Sequence, residues 1–135
     1  MIKGIHRSAI STPKTSRLVD FYTKHRGFQV LRNDGRHKGA DEFEDFVGLE
    51  NSSTDVVMIR HGDSMIEFLQ YALPVPAAGD PDRPMNDHGI PHICIYVADI
   101  ESEYTRLEYA GMSPLTGLNS PPTGPNPPQP LLYLT

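Results

Sequence analysis

Two side chains, Glu67 and His92, stand where their surroundings make chemistry a real question. Glu67 lies in "SMIEFLQY", a β-branched and aromatic run that reads as a strand. Side chains alternate across a strand, so Glu67 shares a face with Met65, Leu69 and Tyr71, while Ile66 and Phe68 point oppositely. A carboxylate among apolar neighbours in a buried strand needs a partner or a metal ion. His92 heads "HICIYVAD", where His92, Cys94 and Tyr96 alternate with Ile93, Ile95 and Val97. The aliphatic side suits packing on a helix, which turns His92 away from the helix–sheet core. An imidazole so placed is either an ordinary hydrogen-bonded histidine or a lone-pair donor to a bound group.

The elements that position these residues occur twice. With Arg7 laid over His92, Ala9 meets Cys94, Ile10 meets Ile95 and Lys14 meets Asp99. A helix follows in each copy. The first carries Leu18, Val19, Phe21 and Tyr22. The second carries Ile100, Tyr104 and Leu107, spaced i, i+4, i+7 along one helical face. Each helix runs into a glycine, Gly27 or Gly111, the residue that best tolerates a left-handed stop. The repeat predicts equivalent strands over 5–12 and 91–98 in a pseudo-twofold arrangement rather than a solenoid. After the first copy, "TDVVMIRHG" and "SMIEFLQY" flank the turn "HGDS" as a hairpin, with His61 in that turn and exposed. The second copy has only "PLLYLT" for this continuation.

Two stretches read as connections. "LPVPAAGDPDRPMNDHG" (73–89) is a linker, and "SPPTGPNPPQP" (120–130) has too many prolines for a helix or central strand. The expected organisation is a first module at 1–72, a linker at 73–89 and a second module at 90–135, incomplete at its C-terminus. The 135 residues carry 17 acidic and 12 basic side chains, a formal charge of -5, which argues against a general nucleic-acid binder. No apolar run is long enough to span a membrane. The single cysteine, Cys94, excludes an internal disulfide and makes a reduced, cytoplasmic setting the expectation.

The segments "IHRSAISTPKTSRLVDFYTKHRGFQVLR", "VVMIRHGDSMIEFLQY" and "DHGIPHICIYVADIESEYTRLEYAGM" resemble the vicinal oxygen chelate superfamily of glyoxalase, bleomycin resistance and dioxygenase proteins. The resemblance implies an α+β fold of paired βαβββ modules in a curved, half-open mixed sheet. It implies a divalent metal in the cup (zinc, iron, manganese, nickel, cobalt or magnesium), held by histidine and glutamate from the first and last strands of each module. By position, His92 matches the second histidine and Glu67 the first glutamate. Arg7, not His6, falls at the first histidine position, and arginine has no lone pair to offer a metal. The fourth ligand would lie beyond Thr135.

Arg7 therefore has three readings. It pairs with Glu67 in the metal's place, it grips an anionic ligand in a fork, or it swings out to solvent. Tyr96, Cys94 and Leu69 are expected to line the cavity, and the lone cysteine suits packing better than nucleophilic attack. His6 is expected on the helix side as a structural residue. The acidic run "DEFEDF" (41–46) reads as the solvated face of a short helix.

Two functions follow from the resemblance. One is a metal-dependent lyase, isomerase or dioxygenase-type enzyme acting on a small oxygen-rich substrate, with the metal stabilising an enolate or oxyanion and Glu67 moving a proton. The other is a metal-free, bleomycin-resistance-like binding module in which Arg7 meets an anionic ligand. A third possibility is a dimerising domain without a ligand. The expected assembly is a homodimer with a small molecule as partner, and neither nucleic acid nor membrane.

Overall fold

The computed structural model describes residues 1–2, 4–38, 41–80, 83–84, 86–89 and 92–112. The chain divides into two units, Met1–Asp80 and Pro81–Thr135.

The first unit is a mixed, curved, open sheet with a helix against one face. Strand β1 (Ser8–Ser11) leads into helix α1 (Thr15–Arg26), which is followed by strand β2 (Gln29–Lys38), helix α2 (Asp41–Val47), and strands β3 (Ser53–His61) and β4 (Ser64–Leu73). The strand order is β1-β4-β3-β2. β4 is parallel to β1 and antiparallel to β3, so it is an interior strand. The expected hairpin forms, with His61 opposite Ser64 and Gly62 at φ 56 in the turn between them. His61 is exposed, as expected. It is paired as the last residue of β3 rather than lying in the turn, and its ring lies 5.4 Å from that of Phe28.

The predicted alternation on β4 holds. Ile66 and Phe68 are buried with Val57, Ile59 and Phe28, and Ile10, Leu18, Val19 and Tyr22 pack against this cluster. Phe68 and Ile59 are fully buried at 0% exposure. Tyr22 reaches both aromatic members, 5.3 Å from Phe28 and 5.5 Å from Phe68 between ring centroids. That contact fixes α1 on one face of the sheet and leaves the other face open. α1 starts without a side-chain cap from Lys14; instead Thr15 donates its backbone N–H to Gln70 Oε1 at 2.9 Å. It ends at Gly27, at φ 68, where Phe28 N–H bonds back to the Tyr22 carbonyl.

β2 carries "NDGRHK" to the end of its ladder, with Lys38 opposite Ser53. Two register shifts, between Val30 and Arg32 and between Asn33 and Gly35, absorb the irregular residues. Gly35 takes φ 66, which a residue with a Cβ rarely adopts.

In the second unit, helix α3 (Ile100–Tyr109) forms with the predicted face, since Leu107 is buried and Ile100 and Tyr104 are half-buried. Asp99 caps it, accepting from the backbone N–H groups of Glu101 and Ser102 at 3.1 Å each. Beyond Tyr109, Gly111 takes φ 78 and Met112 N–H bonds to the Leu107 carbonyl, which is the expected glycine stop. The strand expected over 91–98 is corrected. Residues 92–98 form no strand, and residues 92–96 are all exposed, Ile93 and Ile95 included. Alternation supplies a pattern, but a strand also needs a neighbour to satisfy its backbone groups. No described residue pairs with this segment. "PLLYLT" and the proline-rich run lie outside the described residues.

Candidate functional site

The sheet register sets the site. On the face opposite α1, Ala9 of β1 stands beside Glu67 of β4, which stands beside Met58 of β3, which stands beside Arg32 of β2. The next row is Ser11, Leu69, Val56 and Gly35. Glu67 thus sits on an interior strand of the open face, flanked by short or apolar side chains, as its neighbours in sequence imply.

A cleft of about 420 Å³ opens over this row. Ala9, Glu67 and Leu69 line it from the sheet, and Phe43, Phe46 and Val47 line it from α2. His6 and Arg7, just before β1, complete the lining. Arg7 Nε donates to Glu67 Oε2 at 2.9 Å. The side chains of Arg7 and Glu67 are 29% and 14% exposed, so the pair is half-buried rather than a surface contact. Arg7 Nη1 lies 3.1 Å from His6 Nδ1. Arginine can only donate, so Nδ1 is the acceptor there and carries no proton in that contact. Beyond Leu69 on the same face of β4, Tyr71 has its phenol held above its usual range, first by burial and then by the Glu67 carboxylate.

α2 is held in place by two contacts. Phe43 stacks on His37 of β2, ring centroids 5.6 Å apart and 13° from parallel. The Glu44 carboxylate accepts from Asn51 N–H at 2.9 Å and Ser52 N–H at 3.0 Å, which clamps the turn into β3. The acidic run is therefore more than a solvated face. The apolar residues of α2, Phe43, Phe46 and Val47, turn to the cleft, and their i, i+3, i+4 spacing in "FEDFV" carried that signal.

His6 is also corrected. It lines the cleft instead of the helix side, because the ladder of β1 begins only at Ser8 and strand alternation does not reach back to it. Of the other expected site residues, Leu69 is in the cleft, while His92, Cys94 and Tyr96 belong to the second unit, where all three are exposed.

The donor set in this cleft does not suit a metal ion. Glu67 is engaged by the Arg7 guanidinium, and His6 Nδ1 accepts from that same arginine. Among the described residues, no group of three or more histidine, cysteine, aspartate or glutamate side chains is placed to hold a metal.

Comparison with known proteins agrees with the fold. The family model described as Glyoxalase/Bleomycin resistance protein/Dioxygenase superfamily matches residues 4–126. The crystal structure of a glyoxalase family protein from Bacillus cereus is similar, with a TM-score of 0.77 at 18% identity, covering 87% of this chain and 78% of that one. A glyoxalase family protein from Enterococcus faecalis is similar with a TM-score of 0.60 at 22% identity, covering 89% of this chain and 81% of that one. No curated protein matches the chain.

Proposed function

The chain belongs to the Glyoxalase/Bleomycin resistance protein/Dioxygenase superfamily, and on that premise we propose that its first unit is a metal-free small-molecule-binding site. Members of this superfamily often use divalent metals. The observation that carries the contrary reading for this chain is the Arg7–Glu67 pair. A guanidinium occupies the carboxylate that would otherwise be offered to a metal, and it supplies the positive charge a metal would bring. The apolar residues of α2 and the sheet give the cleft a surface for a small molecule, and Arg7 gives it a polar anchor.

The same fold carries enzymes and binders, so the fold alone does not choose between them. A proton-transfer role for Glu67 is disfavoured while its carboxylate is bonded to Arg7. A homodimer remains our proposal for assembly, supported by the family, and light scattering at micromolar concentration tests it.

The metal-free reading is tested by equilibrating the purified chain with excess zinc, nickel or manganese, desalting it and measuring metal by elemental analysis. The expected result is far less than one ion per chain, with no difference between wild type and Glu67→Ala. One tightly held ion per chain that Glu67→Ala loses would overturn it.

A further inference from the structure

The hydrogen bonds that the Arg7–Glu67 pair leaves unmade define a more specific ligand than an anion. Arg7 touches Glu67 through Nε alone, and its Nη1 is engaged with His6. Nη2 stands on the same edge of the guanidinium as Nε and has no partner among the described residues. Glu67 uses only Oε2, and Oε1 likewise has no partner among them. Arg7 therefore keeps both N–H groups of Nη2 and the second N–H of Nη1 unused, and Nη2, on the edge that meets Glu67, is the unused donor nearest the unused acceptor Oε1.

Charge decides what fits there. Arg7 and Glu67 balance one another, and no other charged side chain lines the cleft among the described residues. A free carboxylate could bond to Nη2, but it would sit against the Glu67 carboxylate, and like charges so close oppose binding. A neutral group with a donor and an acceptor side by side satisfies both atoms without that repulsion. The rest of the lining asks for a flat apolar body, since Phe43, Phe46, Val47 and Leu69 supply aromatic and aliphatic surface and Phe46 is 78% exposed.

We propose that this cleft selects a neutral, planar ligand with a cis-amide edge, a ring N–H beside a ring C=O, in preference to a free carboxylate. The N–H donates to Glu67 Oε1, the C=O accepts from Arg7 Nη2–H, and the ring lies against Phe43 and Phe46. The proposal rests on the metal-free reading above and specifies its ligand.

Three probes of similar size separate the possibilities by calorimetry on the full chain in the presence of a chelator. 2-Quinolone carries the amide edge, N-methyl-2-quinolone lacks its donor, and 2-naphthoate offers a carboxylate on the same kind of ring. The expected order places 2-quinolone about tenfold or more tighter than either of the others, because each leaves a polar atom of the pair unpaired or opposed. In Glu67→Gln the negative charge is gone, and 2-naphthoate should gain about tenfold relative to 2-quinolone. Equal or tighter binding of 2-naphthoate to wild type, or equal binding of the N-methyl compound, overturns the ligand class and leaves the metal-free site standing. Binding of 2-quinolone that appears only when zinc replaces the chelator overturns the metal-free reading itself. No binding of any probe overturns the ligand class, while the metal-free reading stands or falls on the elemental analysis above.

Discussion

Arg7 Nε donates to Glu67 Oε2 at 2.9 Å, joining residues 60 positions apart in sequence across the open face of the sheet. The segment before β1 is tied by this bond to the interior strand β4. With 29% and 14% of the two side chains exposed, the pair lies between a solvated ion pair and a fully buried one. Removing one partner should leave the other part-buried without its opposite charge. Glu67→Ala and Arg7→Ala are each expected to lower stability by about 1–3 kcal/mol, below the range for a fully buried pair. The double variant should lose less than the two singles added together, and urea denaturation of all four proteins measures that coupling.

The packing core makes a larger prediction. Phe68 is fully buried between α1 and the sheet, in contact with Tyr22. Phe68→Ala should cost about 3–5 kcal/mol, through lost burial and the cavity left behind. Leu69→Ala, on the adjoining cleft side, should cost clearly less, because that side chain is only half-buried. Urea midpoints of the two variants test the difference between the faces.

The loop that carries α2 depends on Glu44. Its carboxylate accepts two backbone N–H groups, and Asn51 beside it holds φ 55, an uncommon conformation for a residue other than glycine. Glu44→Ala should cost about 1–2 kcal/mol. It should also speed amide exchange at Asn51 and Ser52 while leaving Val57 and Phe68 protected. Hydrogen exchange read by mass spectrometry or NMR distinguishes this local loosening from global unfolding.

Acid sensitivity follows from Asp55. Its carboxyl is held below the ordinary value of 3.8, chiefly by the hydrogen bond from Arg36, with burial opposing and the charge of Arg36 assisting. A depressed carboxyl stabilises the folded chain fully above the ordinary value, and that contribution is lost as pH falls through the lower folded value. Asp55→Asn removes the proton-linked part. Between about pH 5 and about pH 2, the thermal midpoint of wild type should fall further than that of Asp55→Asn. Equal falls would show that the pair contributes nothing in acid.

Much of the first unit was legible in the sequence for physical reasons. The alternation around Glu67 predicts its face because β4 is an interior strand with a core on one side only. Gly27 and Gly111 mark the ends of their helices because a left-handed residue is needed there. The reading failed where a neighbour outside the local pattern decides the outcome. Residues 92–98 alternate as a strand should, yet no described residue pairs with them. His6 lies before the ladder begins, so periodicity could not place it. Phe43 and Phe46 were hidden in a run whose charges dominate its composition, although their spacing is helical. Arg7 was legible as an anomaly at a ligand position, but which of its three readings holds depends on a side chain 60 residues away.

The most direct test watches Arg7 itself. Its Nε–H cross-peak in 15N-edited NMR is to be identified by its loss in Arg7→Lys. The peak is expected to be protected from exchange in wild type and lost or shifted in Glu67→Ala. It is also expected to stay unchanged when one equivalent of zinc is added. A peak that disappears or moves with zinc and returns with a chelator would mean that the metal displaces Arg7 from Glu67, and the metal-free site would be contradicted.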